Sequence, residues 1–174
     1  MISEMGSEIC RLLILLTLLL SSYHKLCDWR GFAASLVEDF RVPKQSGIVS
    51  AIVIIAIEAL TALMILSGEP WQIVGLYLAA ALFLLLSLVL ARVLYHKQRV
   101  FCQCFGRSRY PISSLDLLRN GIYFFVAVFA AIVDAAIALT WLEQAMLFLI
   151  ALPIFLLTIH LNELQWLLQE QTHE

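Results

Sequence analysis

Long apolar runs separated by short polar connections dominate this chain. Residues 12–23 are apolar or neutral, and with Ile9 and the stretch to about Trp29 they reach the roughly 20 residues that a spanning helix needs. Arg11 and Lys25 flank the run, where long cationic side chains can reach opposite interfaces. Phe32, Leu36 and Phe40 then recur at helical spacing among Glu38, Asp39 and Arg41, until Pro43 stops the pattern. That predicts a short helix over 31–41 lying in the interface and capping the bundle.

A second span is expected over 46–66, carrying one acid, Glu58, and closed by Ser-Gly-Glu-Pro with Gly68 and Pro70 as turn residues. Residues 71–95 read as a third, with Trp71 and Tyr95 at its two ends, where amphipathic rings favour the headgroup level. The tight turn between them predicts antiparallel packing. Between Tyr95 and Leu115 the chain turns polar and basic, and Ser113-Ser-Leu-Asp116 is a capping-box pattern that starts a fourth span. This span is expected to run to about Leu142, with Arg119 and Asn120 near its start and Asp134 deep inside. A fifth apolar run, 145–161, is shorter and holds Pro153, and it is expected to span with help from the flanking 162–166 segment. The pattern therefore predicts an all-α polytopic membrane bundle of about five transmembrane helices, a four-helix core plus a C-terminal helix, as one integral membrane domain over 1–174.

Composition strengthens that reading. The chain is 62% hydrophobic and 14% charged, with a mean hydropathy of +0.92, and its apolar residues form runs instead of alternating, so helices and not a barrel cross the bilayer. The expected partner is the lipid bilayer of the cytoplasmic membrane; a net charge of -2 gives no reason to expect nucleic acid. The acidic start Met-Ile-Ser-Glu-Met-Gly-Ser-Glu and the lack of an Ala-x-Ala site favour a retained first helix over a cleaved signal peptide. Lys25, Arg30, Arg41 and Lys44 flank or fill the first connection, and Lys97, Arg99, Arg107 and Arg109 fill the third, whereas the second and fourth have no Lys or Arg. Basic loops mark the cytoplasmic side, so the N-terminus is expected outside and both basic connections inside.

Within this frame, Arg99-Val-Phe-Cys-Gln-Cys-Phe-Gly-Arg107 is the stretch where reactive side chains crowd together. Four cysteines, Cys10, Cys27, Cys102 and Cys104, are too few and too unevenly placed for a disulfide framework. A thiol reacts as its thiolate and nearby cations lower its pKa, so Arg99, Arg107 and Arg109 are expected to activate Cys102 and Cys104. A bond between cysteines one residue apart closes a small strained ring that is easily reduced, which suits exchange better than bracing. A third thiol should then accept or donate the bond, and Cys27 is the candidate, since the topology puts it at the same membrane face as the pair. Cys10 lies near the opposite face and reads as a packed residue; inert packing is also an alternative for Cys27. A Cu(I) site is the other reading of the thiols, but only His24 and His96 are nearby and Met is absent from these loops, so no metal site is assigned.

Two acids sit inside predicted spans, where a carboxylate is costly and usually faces a partner or a cavity. Glu58 and Asp134 are expected to pair with Arg92 or Arg119 in a polar clasp that also includes Asn120; a proton-transfer role is the alternative. A quinone between helices would suit a redox protein, but no residue identifies a site for one, and the cofactor is unknown.

Cys102-Gln-Cys-Phe-Gly106, followed by Leu117-Leu-Arg-Asn120, resembles the signature of the MauE family of membrane proteins, which is grouped with DoxX-like proteins. Lys25 at the end of the first helix, the amphipathic segment after it, Pro43 and Glu58 agree in order, so the resemblance spans about 12–138. Gln103 stands where Gly is usual between the cysteines. The resemblance implies a redox-associated membrane protein that assists maturation, including disulfide formation, of the methylamine dehydrogenase small subunit beside a thioredoxin-like partner. An exported client of that kind requires the thiols outside, opposite to the side the loop charges favour. The function expected from residues and resemblance together is thiol-disulfide exchange with a thioredoxin-like or client protein. The alternatives are a non-catalytic membrane assembly factor with structural cysteines, and a small transporter.

Overall fold

A backbone in lipid must pair its own N–H and C=O groups, and each apolar run of the sequence accordingly folds as a helix. In the computed structural model, which describes residues 2–38, 43–96, 112–133 and 141–171, six helices follow one another among the described residues. They are α1 (Ile2–Cys27), α2 (Trp29–Glu38), α3 (Gly47–Leu66), α4 (Trp71–Tyr95), α5 (Ser114–Ile132) and α6 (Trp141–Gln171). Met5–Cys27 of α1, together with α3, α4 and α5, is long and apolar enough to cross a membrane. The apolar part of α6, Leu142–Thr158, is shorter and includes Pro153.

The fourth span differs from its expected length. Helix α5 stops at Ile132, ten residues short of the expected Leu142, and a separate helix begins at Trp141. With 19 residues it already covers roughly 28 Å, enough for the hydrocarbon core, so the apolar residues beyond it are not needed to span.

Helix α1 is the hub, packed on α3, α5 and α6, while α4 closes the bundle against α3 and α5. Ile14, Leu15 and Leu18 of α1 meet Ala62 and Ile65 of α3, Leu76, Ala79, Ala80 and Phe83 of α4, and Tyr123, Ala127 and Ala130 of α5 in one buried cluster. Alanines at these contacts let the helix backbones approach, which is how helices associate where lipid removes any hydrophobic drive between them. Leu13 on the other side of α1 packs with Ala151 and Phe155 of α6. Large apolar side chains such as Ile52, Leu60, Leu63, Leu85 and Leu88 remain exposed on α3 and α4; on a chain of this hydropathy they form the surface that lipid covers.

One residue separates α1 from α2. Asp28 accepts the Gly31 N–H at 3.1 Å through its side chain, capping α2 at the point where α1 ends. Phe32, Ala33 and Leu36 of α2 then bury against Ala51 and Ile55 of α3. The amphipathic face of the short helix is thus turned onto the bundle, along the first half of α3; Phe40 and Arg41, the end of the expected segment, lie outside the described residues. Gly47 permits this close approach, because a Cβ there would sit 2.5 Å from Val37 Cγ2. At the opposite end Gly68 takes φ +79° in the α3–α4 turn, a left-handed conformation that glycine adopts without steric cost.

Cross-helix contacts fix which ends lie together. Arg11 donates to Gln72 Oε1 at 3.2 Å and Ser7 Oγ to the Ala130 carbonyl at 3.3 Å, so the start of α1, the start of α4 and the end of α5 share one end of the bundle. The end of α1, all of α2, the start of α3, the end of α4 and the start of α5 lie towards the other.

Candidate functional site

The polar residues of that second end form two buried clusters. In the first, Lys25 Nζ donates to Glu58 Oε1, and Ser21 Oγ donates to Glu58 Oε2 at 3.1 Å. The two charged side chains are only 4% and 13% exposed. Phe32 of α2 lies against the ammonium, its ring centroid 5.2 Å from Nζ, adding a cation–π contact to the pair. Ser21 and Lys25 are one turn apart on α1, and antiparallel packing brings that face to Glu58.

This corrects two expectations. Glu58 pairs with Lys25, and not with Arg92 or Arg119, and Lys25 turns inward instead of reaching the interface. The physical reason is that a cation near the end of α1 has an acid within reach inside the bundle, and pairing offsets the desolvation of both. A lone acid in a spanning helix and a lysine at i+4 from a serine were the available signals in the sequence.

The second cluster opens α5. The Asp116 carboxylate accepts the Ser113 N–H at 3.0 Å, completing the expected capping box, and also faces Arg119 Nη2 at 3.1 Å. Asn120 Nδ2 donates to the Asp116 carbonyl at 2.8 Å. Asp116, Arg119 and Asn120 are all buried. Sequence reasoning saw Asp116 only as a cap, yet the same carboxylate holds the arginine one turn on, because i and i+3 share a helix face.

Cys27, the last residue of α1, is exposed and a free thiol, whereas Cys10 is half-buried against the main core cluster. Cys102, Cys104, Arg99, Arg107, Arg109 and Asp134 lie outside the described residues. Just beyond the 97–111 stretch in sequence, Ile112 packs with Leu90 and Val93 of α4. Among the described residues no three His, Cys, Asp or Glu side chains gather as a metal would require.

Helices of spanning length, an apolar outer surface and ion pairs buried between and within the helices define a multi-pass helical membrane protein. The family model of methylamine utilisation protein MauE matches residues 3–133, and the chain belongs to this family. No curated protein and no solved structure matches it.

Proposed function

We propose that this membrane protein exchanges disulfides between a thioredoxin-like partner and a client protein through Cys102, Cys104 and Cys27. The observation that carries the reading is the position of Cys27, exposed at the end of the bundle where Ile112, just beyond the Cys-x-Cys stretch in sequence, packs on α4. The Lys25–Glu58 pair supports it by tying the Cys27 end of α1 to α3.

In this mechanism a loop thiolate, favoured by Arg99, Arg107 and Arg109, attacks one sulfur of the partner's disulfide and releases the other as a thiolate. The second loop thiolate resolves the mixed disulfide, leaving the partner a dithiol and the loop a strained Cys102–Cys104 bond. Cys27 attacks that bond, a less strained disulfide to Cys27 forms, and one loop thiolate leaves. A client thiolate attacks the new disulfide, and the client's second thiolate completes the exchange. Two electrons pass from client to partner, two client thiol protons end on partner thiols, and the chain returns to its three thiols. The family's name points to methylamine utilisation, and the family resemblance makes the methylamine dehydrogenase small subunit the first client to test.

The experiment follows disulfide formation in a client dithiol with the purified protein and an oxidised thioredoxin-like partner. Cys102→Ser and Cys104→Ser are each expected to abolish transfer. Cys27→Ser should halt it with the loop oxidised; full activity in Cys27→Ser would remove the internal relay. Full activity in both loop variants would leave a non-catalytic assembly factor.

A further inference from the structure

An open groove of about 500 Å³ lies between α2 and the start of α3, and the thiol chemistry does not use it. Its lining includes Trp29, Val37 and Ile48, with Arg30, Lys44 and Glu38 among them. Trp29 and Ile48 are exposed large apolar side chains, and Arg30 stacks on the Trp29 ring at 5.3 Å. Among the described residues neither Arg30 nor Lys44 makes an ion pair with a carboxylate. The groove thus combines an apolar wall, an aromatic side chain of the type found at the headgroup level, and two cations against one acid, on a helix pair at one end of the bundle.

We infer that this groove holds an anionic phospholipid, with the phosphodiester on Arg30 and Lys44 and an acyl chain along Trp29, Val37 and Ile48. Charge complementarity selects the occupant. A net charge of +1 from Arg30, Lys44 and Glu38 matches one phosphodiester, and basic clefts beside spanning helices are suited to such headgroups. Glu38 can accept from a headgroup hydroxyl, so a glycerol headgroup fits better than a choline, which has no donor. Helix α2 sits directly after Cys27, so a lipid here would border the thiol end without entering its chemistry.

Native mass spectrometry of the full chain, released from nanodiscs of phosphatidylglycerol, phosphatidylethanolamine or phosphatidylcholine, tests this. Phosphatidylglycerol should be retained selectively, and each of Arg30→Gln and Lys44→Gln should lower its retention about fivefold. Ala34→Trp, which fills the groove and leaves both cations in place, should also release it. Equal retention of the three lipids by the wild-type chain overturns the proposal, as does phosphatidylglycerol retention unchanged by Arg30→Gln, Lys44→Gln and Ala34→Trp. Preferential retention of phosphatidylethanolamine would overturn it too, since Glu38 would then be holding an amine.

Discussion

Lys25, two residues before the end of α1, is ion-paired with Glu58 near the middle of α3. Removing one partner leaves the other charge desolvated inside the bundle, which costs far more than the pair contributes. Lys25→Met is therefore expected to destabilise the protein by about 3 kcal/mol, since it leaves the Glu58 carboxylate without its cation. The double variant Lys25→Met, Glu58→Leu should lie close to wild type. Unfolding in detergent micelles checks this: if the single and double variants lose stability equally, the cost does not come from an orphaned charge.

Asp116 carries two loads at the start of α5, the Ser113 N–H and the Arg119 guanidinium. Asp116→Ala should cost about 3 kcal/mol for the lost Asp116–Arg119 pair and about 1 kcal/mol for the lost cap. Under the proposed exchange, disulfide transfer should slow as well with the thiol count unchanged, because the stretch holding Cys102 and Cys104 leads in sequence directly into these residues. Arg119→Met added to Asp116→Ala should recover part of the stability lost with the pair, and the cap term should stay missing.

Apolar run length made most of the fold legible. Residues 71–95 were expected as a span and are helix α4 to the residue, and Ser113 to Asp116 announced the start of α5 through a capping pattern that depends on four residues alone. The end of α5 was not legible, since the residues past Ile132 are still mostly apolar apart from Asp134 and Thr140, and helix length is limited by bilayer thickness as well as by composition. Partner choice was harder still. Glu58 had three cations to choose from, and only the packing of α1 on α3 selects Lys25. The reading of Cys102 and Cys104 rests on spacing and neighbouring arginines alone, and both lie outside the described residues.

Gly47 sets how closely α2 lies on α3, with space for a hydrogen and little more beside Val37. Gly47→Ala is expected to cost about 1–3 kcal/mol by forcing Val37 aside. Shortening the neighbour should relieve it: Val37→Ala combined with Gly47→Ala should be more stable than Gly47→Ala alone. An additive double variant would mean that the glycine is needed for backbone conformation and not for contact.

The orientation of the bundle rests on which end meets the cytoplasm. Lys25 drops out of the count of free loop charges, because Glu58 neutralises it inside the bundle. Arg30, Arg41 and Lys44 remain in the first connection, against a second connection whose one charged residue is Glu69. Asp and Glu contribute little to topology, so the cationic excess still favours the Cys27 end as cytoplasmic. Gln45 and Glu69 lie at opposite ends of α3 and both are exposed, which makes them matched reporters. In a background with the four native cysteines replaced by serine, Glu69→Cys should react with an impermeant maleimide in intact cells. Gln45→Cys should react only after permeabilisation. The reverse pattern would overturn the charge argument and put the thiol end outside, where an exported client would meet it; labelling of both reporters in intact cells would mean that α3 does not cross the bilayer.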